Sequence, residues 1–432
     1  MNIIIIGNGI TGITCARNIR KKNSDAKITV ISEESEHFYS RTALMYIYMG
    51  HMKHENTKPY EDWFWKKNRI NLVKASVKSL DPENKTIQLE DNSFLSYDKL
   101  ILATGSIPNK FGWPGEDLKC VQGLYSIQDL EEMEKNTSNI SSAVIVGGGL
   151  IGIEMAEMLH SRNISVTMLI RENAYWANVL PQEEAQLIGN HLHKHGIDLR
   201  FNTELKEIRS IDRLGVNSII TNTEEIINCQ FVGITTGVKP NINFLKNSTL
   251  EIEKGILVNE FLETNIPDIF AAGDCAQFRF AKIGEAPIEQ LWYTGKMQAE
   301  TLANTICGHR TSYDRGIWFN SAKFFDIEYQ TYGKVPPVIT NEQESFYWEH
   351  ENSKISFRAN YNKSDRSILG FNFMGIRFRQ VIAEQWIRDQ KEIEYVIEHL
   401  NQGWFDPEFS KAHYKEIAKA FIDFNIDASF SK

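Results

Sequence analysis

The chain has 432 residues, 42% of them apolar and 24% charged, with 27 glycines and 11 prolines. At about 150 residues per domain this is a globular chain of roughly three domains, which excludes a single small module, a disordered tail and a collagen-like repeat. Lysine and arginine number 47 against 56 aspartates and glutamates, and the net charge of -9 offers no broad cationic surface to nucleic acid.

The chain opens with an apolar run, residues 3–6, far shorter than the roughly 7 to 15 residues of a signal-peptide core, and no basic stretch precedes it. The longest weakly polar stretch, residues 143–153, carries four glycines and stops at Glu154, short of the roughly 20 residues a membrane helix needs. The five cysteines form no CxxC or CxxxxC spacing; the closest pair, Cys275 and Cys307, lies 32 residues apart. An odd count of scattered thiols fits a reducing compartment. A soluble, cytoplasmic protein with no integral membrane segment is expected.

Residues 3–6, all isoleucine, read as a buried parallel strand ended by Gly7. Gly7-Asn8-Gly9-Ile10-Thr11-Gly12 follows, then a helix over 13–20 and a second strand over 27–32. This is one βαβ unit, and Glu33, 21 residues after Gly12, stands near the spacing at which an acid meets a ribose hydroxyl. Residues 73–95 form a turn-rich, sheet-like stretch, residues 97–105 an apolar strand ending in small residues, and Trp113-Pro114-Gly115 a linker. The first grammar then returns: strand 143–146, Gly147-Gly148-Gly149-Leu150-Ile151-Gly152, a helix to about 161 and a strand over 165–170. Glycines permit the tight turn and the close approach of backbone N–H donors to a pyrophosphate at a helix N-terminus. Two dinucleotide sites are therefore implied.

Strands near 198–201, 218–221 and 231–235 complete the second domain before Gly237-Val238-Lys239-Pro240. Residues 269–274 read as a buried strand delivering Asp274 to the carboxyl end of a sheet, where open α/β folds bind ligands. Beyond about Trp318 the alternating segments 345–350, 354–359 and 368–373 predict antiparallel strands. Two amphipathic helices finish the chain, one carrying Ile393, Val396, Ile397 and Leu400 and stopped by Gly403, the other carrying Tyr414, Ile417, Ala418 and Phe421, with Asp406-Pro407 capping a short segment between them.

The ordered set GNGITG, LILATGSIP, GGGLIGIE and TNIPDIFAAGDCA resembles the two-dinucleotide flavoproteins of the pyridine nucleotide-disulfide reductase superfamily over about residues 1–310. Phe38-Tyr39-Ser40-Arg41-Thr42-Ala43-Leu44 is similar to the segment found in rubredoxin reductases, ferredoxin reductases and the FAD-binding part of nitrite reductases. The resemblance implies an α/β fold with two Rossmann-like domains, for FAD and NAD(P), and a C-terminal α+β domain. Its boundaries are 1–112 with 240–318 for FAD, 113–239 for NAD(P) and 319–432 for the C-terminal interface domain. It places Gly7, Gly9 and Gly12 at the FAD pyrophosphate, Glu33 at the ribose, Arg41 at a phosphate or the flavin edge, and Asp274, with Gly273, at the ribitol. Val77, Ala103, Thr104, Gly105 and Trp292 join the cofactor contacts. Gly147, Gly149 and Gly152 would hold the nicotinamide nucleotide, with Glu154 near the nicotinamide and Gly237 on the far side.

Three features depart from the family or leave choices open. The second strand ends in Ile170-Arg171-Glu172, where NAD enzymes often carry an acid; Arg171 suits a 2′-phosphate and Glu172 a ribose. No redox cysteine stands near residues 40–50, so dithiol chemistry is not expected, and Cys15 and Cys275 read as packing residues. The lysine that pairs with the glutamate near the flavin is replaced by Tyr46. His191, His193 and His195 read as an exposed helix end with no metal, and His51 and His54 as surface residues. The expected activity is FAD-dependent NAD(P)H oxidation with electrons passed to a separate acceptor, a rubredoxin- or ferredoxin-like protein first. An NADH dehydrogenase using quinone or oxygen and a redox-sensing FAD/NAD subunit remain the alternatives. The long C-terminal region offers a dimer contact or a docking site in a larger complex.

Overall fold

The computed structural model describes residues 1–211, 215–281, 285–405, 408 and 411–430, and of 427–430 the backbone alone. The proposed cap Asp406-Pro407 lies outside the described residues. The chain forms two compact units.

The first unit comprises residues 1–111, 122–138 and 236–315. Its centre is a parallel sheet in the order Ile269–Ala271, Lys99–Leu102, Asn2–Ile6, Lys27–Ser32, Ile70–Lys74. Ile3, Ile4 and Ile5 are at most 2% exposed, as unbroken isoleucine requires of a strand covered on both faces. Helix Ile10–Lys22 runs longer than the pattern predicted, because Arg20, Lys21 and Lys22 complement its carbonyl end. It packs against helix Trp292–Ile306. The predicted turn-rich stretch is an antiparallel meander, Val77–Asp81, Thr86–Leu89 and Phe94–Ser96.

The second unit comprises residues 112–121, 139–235 and 316–432. Parallel strands Asp198–Phe201, Ser165–Ile170, Ser142–Val146 and Phe231–Ile234 lie in that order. The C-terminal region supplies a five-stranded antiparallel sheet, ordered Phe319–Phe324, Ile327–Gly333, Ile368–Met374, Ser356–Asn362, Gln343–Glu349. Phe357, Phe371, Phe373 and Trp386 fill its core with the inward faces of helices Gln380–Arg388, Ile393–Glu398 and Tyr414–Phe430.

Four sequence expectations need correction. Residues 122–138, assigned to the NAD(P) domain, belong to the first unit: helix Ile127–Asn136 packs on Leu44–Tyr48, and the Tyr48 and Thr137 hydroxyls are 2.6 Å apart. Residues 236–239 also fall in the first unit, since Val238–Pro240 pairs with Ser106–Pro108. The Trp113-Pro114-Gly115 linker is packed: Pro114 accepts the Ile208 N–H at 2.8 Å, and a Cβ on Gly115 would lie 2.1 Å from the Ile208 carbonyl oxygen. Gly403 does not stop the helix, which ends at Glu398; it makes room for Phe378, whose ring a Cβ would meet at 1.9 Å.

Candidate functional site: two glycine cradles

In the first unit Gly7 leaves the central strand with φ +112, a conformation that disfavours any side chain. A Cβ there would lie 2.0 Å from the Ala103 oxygen, and one on Gly12 would lie 1.9 Å from the Gly7 oxygen, so both glycines are demanded by the protein's own packing. Gly9 differs. Nothing lies within 4 Å of its missing Cβ, and as N-cap it provides no side-chain hydrogen bond to the helix. The unsatisfied N–H groups of the first turn and the positive helix end therefore face open space. The second unit repeats the design: Gly147 has φ +114, a Gly152 Cβ would meet the Gly147 oxygen at 2.4 Å, and Gly149 is open. Thr235, whose hydroxyl donates to the Val146 carbonyl at 2.9 Å, walls this second cradle and carried no sequence signal. Both cradles fit a dinucleotide pyrophosphate.

Around the first cradle, Glu33 is exposed at the end of its strand and accepts a hydrogen bond from Ser76 at 2.9 Å, beside the half-buried Val77. Arg41 is engaged by a residue the sequence reading passed over. Glu34 binds its guanidinium through both carboxylate oxygens, at 2.6 and 3.1 Å, and also accepts from Tyr39 and from the Ile127 N–H. The Tyr125 carbonyl takes a further Arg41 N–H, and the Tyr125 ring lies 4.3 Å beneath the guanidinium. The only sequence signal for Glu34 was its place in an acidic pair before the arginine.

Asp274 accepts from Ser106 at 3.0 Å, Ser106 from Gln290 at 2.9 Å, and burial raises the Asp274 pKa. Gly273 donates its N–H to Gln298 at 2.7 Å. Thr104 donates to the Asn241 carbonyl at 2.7 Å, beside Ala103 and Gly105. Trp292 opens its helix partly exposed, edge-on to Tyr293. Tyr46 stacks on His51, and His54 packs edge-on against Tyr39. Gly237 belongs to the first unit, where its carbonyl accepts the Asn109 N–H at 3.0 Å; the expected place in the NAD(P) domain is corrected by that pairing.

In the second unit Glu154 stands on the helix behind Gly149. Burial, reinforced by the charge of Glu157, pushes its pKa up to about 7. Lys323 donates to Glu157 at 2.8 Å. Arg171 is exposed and pairs with Glu172 at 3.2 Å. The exposed-end reading of the histidines holds for His193 but fails for His191, which is 2% exposed with Nε2 2.6 Å from Asp326 of a distant hairpin. Sequence distance hid that partner. Cys15, Cys229 and Cys275 are in no disulfide, and burial pushes their thiols up.

Residues 1–299 match the family described as pyridine nucleotide-disulphide oxidoreductase. The chain belongs to that family. It is 28% identical over 370 residues to the nitrite reductase [NAD(P)H] of Bacillus subtilis, which covers 83% of this chain and 44% of that protein. It is 28% identical over 384 residues to the NADH-rubredoxin oxidoreductase of Clostridium acetobutylicum, covering 88% and 94%. A solved ferredoxin reductase from Rhodopseudomonas palustris superposes with a TM-score of 0.79 at 22% identity, covering 87% of this chain and 91% of the other, which shows the fold. The chain spans under half the length of the nitrite reductase it matches. The family's description is of oxidoreductases that use a pyridine nucleotide.

Proposed function

We propose that the protein is an FAD-dependent NAD(P)H oxidoreductase that passes electrons to a separate small redox protein of the rubredoxin or ferredoxin kind. The observation that carries this reading is the pair of open glycine cradles, one in each unit. Its support from relatives is the near full-length likeness to an NADH-rubredoxin oxidoreductase. The first unit is the discontinuous FAD domain: Gly7, Gly9 and Gly12 at the pyrophosphate, Glu33 and Val77 at the adenosine, Ala103, Thr104, Gly105 and Trp292 toward the flavin, and Gly273 with Asp274 at the ribitol. Arg41 acts through Glu34 to hold the loop that frames this cradle. Gly147, Gly149 and Gly152 cradle the nicotinamide nucleotide. Arg171 offers its planar fork to a 2′-phosphate and Glu172 a carboxylate to a ribose hydroxyl.

When bound, FAD accepts a hydride and releases electrons singly or in pairs. The chain's own part is to bind, orient and hold protons. Glu154, its pKa pushed up to about 7 by burial, would take up and release a proton near neutral pH beside the nicotinamide. Tyr46 stands where relatives carry a cation, so no fixed positive charge comes from that position. No cysteine lies between Cys15 and Cys120, which supports electron exit directly from the flavin.

Among the described residues no helix is long and apolar enough to cross a membrane. The free thiols of Cys15, Cys229, Cys275 and Cys307 support a cytoplasmic setting. Ile422 and Ile426, exposed one turn apart on the last helix, support that helix as a contact surface for a partner or second copy.

Anaerobic stopped-flow mixing tests the reading. NADH should bleach the flavin band within the turnover time, and added rubredoxin or ferredoxin should restore it. Slow bleaching with no acceptor turnover would favour a redox sensor, and, in a separate aerobic assay, NADH consumption matched wholly by oxygen uptake would favour an oxidase.

A further inference from the structure

Helix Gln182–Lys194 is held to the C-terminal sheet at both ends. At its start Arg358, 5% exposed, bridges Glu183 and the fully buried Glu184, with Asn372 donating to Glu184 at 3.3 Å. At its finish His191 and His195 share one face, four residues apart, with rings 4.5 Å from each other. Asp326 faces them from the two-residue turn that joins Phe319–Phe324 to Ile327–Gly333, and the Phe325 ring closes the far side of His195 at 4.7 Å. We propose that His191, His195 and Asp326 bind a divalent transition cation, zinc in the first instance, which clamps this helix to the hairpin.

The tautomers favour it. His195 Nδ1 lies 2.9 Å from the His191 carbonyl, an acceptor, so Nδ1 carries the proton and Nε2 presents its lone pair toward Asp326. His191 Nε2 approaches Asp326 Oδ1 to 2.6 Å, so the nitrogen and the carboxylate oxygen already face one another in one small space. Lys354 donates to Asp326 Oδ2 at 2.7 Å, which orients the carboxylate and leaves Oδ1 for the imidazoles.

The three ligand atoms lie within 4.8 Å of one another. A tetrahedral ion with bonds near 2.1 Å separates its ligands by about 3.4 Å. The two nitrogen-to-Oδ1 distances, 2.6 and 3.8 Å, bracket that value, so a shift of under about 1 Å in the half-exposed Asp326 completes the site. The solvent side of Asp326 leaves a position for water. Two imidazoles and one carboxylate suit zinc, cobalt or nickel, whereas calcium and magnesium require oxygen ligands.

The test uses the flavin-loaded full chain, stripped with chelator and titrated with zinc chloride and separately with cobalt chloride. One equivalent should bind, the melting temperature should rise, and cobalt should give absorption bands to the red of the flavin. His195→Ala and Asp326→Asn, both at partly exposed positions, should each weaken binding by more than about 100-fold with flavin content intact, beyond the roughly 10- to 100-fold that losing a group behind a ligand costs. His193→Ala, on the exposed face of the same helix, should bind as the parent does. Zinc well below one equivalent, binding that survives both variants, or binding abolished instead by His350→Ala in the other histidine cluster, His350, His413 and Glu416, overturns the proposal.

Discussion

Replacing Gly9 with Asn separates what the first glycine cradle does for the ligand from what it does for the fold. Gly9 is the N-cap of helix Ile10–Lys22 with φ -69, a cap position that Asn also favours, and no protein atom lies within 4 Å of its missing Cβ. The flavin-free protein should therefore keep its stability within about 0.5 kcal/mol. The new side chain fills the pyrophosphate's space and competes for the first-turn N–H groups. Loss of one charge-assisted hydrogen bond, about 1.5 to 3 kcal/mol, weakens FAD by roughly 10- to 150-fold. At a flavin concentration of about 100 times the dissociation constant, linkage adds about 2.7 kcal/mol to the parent, and the variant forfeits about 1.3 to 2.4 kcal/mol of it. Gly12→Ala is the contrast, because its Cβ would sit 1.9 Å from the Gly7 oxygen and the backbone must yield, at a cost of about 1 to 3 kcal/mol with or without flavin. Urea midpoints with and without FAD, together with the flavin-to-protein ratio, measure both. A Gly9→Asn protein with parental flavin affinity, or one as unstable as Gly12→Ala when flavin-free, refutes the assignment.

Arg171→Ala should raise the Michaelis constant for NADPH by roughly tenfold or more and leave NADH nearly unchanged, since a 2′-phosphate alone needs the guanidinium; equal effects in steady-state assays would remove that role. NADH-dependent ferricyanide reduction should survive alkylation and replacement of all five cysteines in the flavin-loaded fraction, because burial keeps Cys15, Cys229 and Cys275 protonated, Cys229 with its pKa pushed up to about 12. Stoichiometric inactivation on modifying one thiol would contradict it. Glu154, with a native pKa of about 7 against 4.5 for the free group, keeps a proton that the unfolded chain releases, so stability falls as pH rises through that window. Glu154→Gln should raise the melting temperature at about pH 8 by lifting a penalty of at most roughly 3 kcal/mol, and should leave it unchanged at about pH 4; a gain independent of pH would show that the carboxylate is not the cause.

Local rules account for what the chain showed before folding was considered. The isoleucine run, the two glycine fingerprints and the strand that delivers Asp274 depend on spacing within about 30 residues, and such spacing is written in the chain itself. Gly12 was legible because it is needed by a contact across a single turn, with the Gly7 oxygen, and Gly7 because the turn itself gives it a φ that disfavours side chains. Residues 122–138 and Gly237 were misplaced because their unit is decided by partners far away in sequence, Leu44–Tyr48 in one case and Ser106–Pro108 in the other. The same limit hid the Thr235 wall and Asp326 opposite His191. A carboxylate has no periodicity of its own, and whether it pairs, caps a helix or faces a histidine depends on which surfaces the packed core brings together.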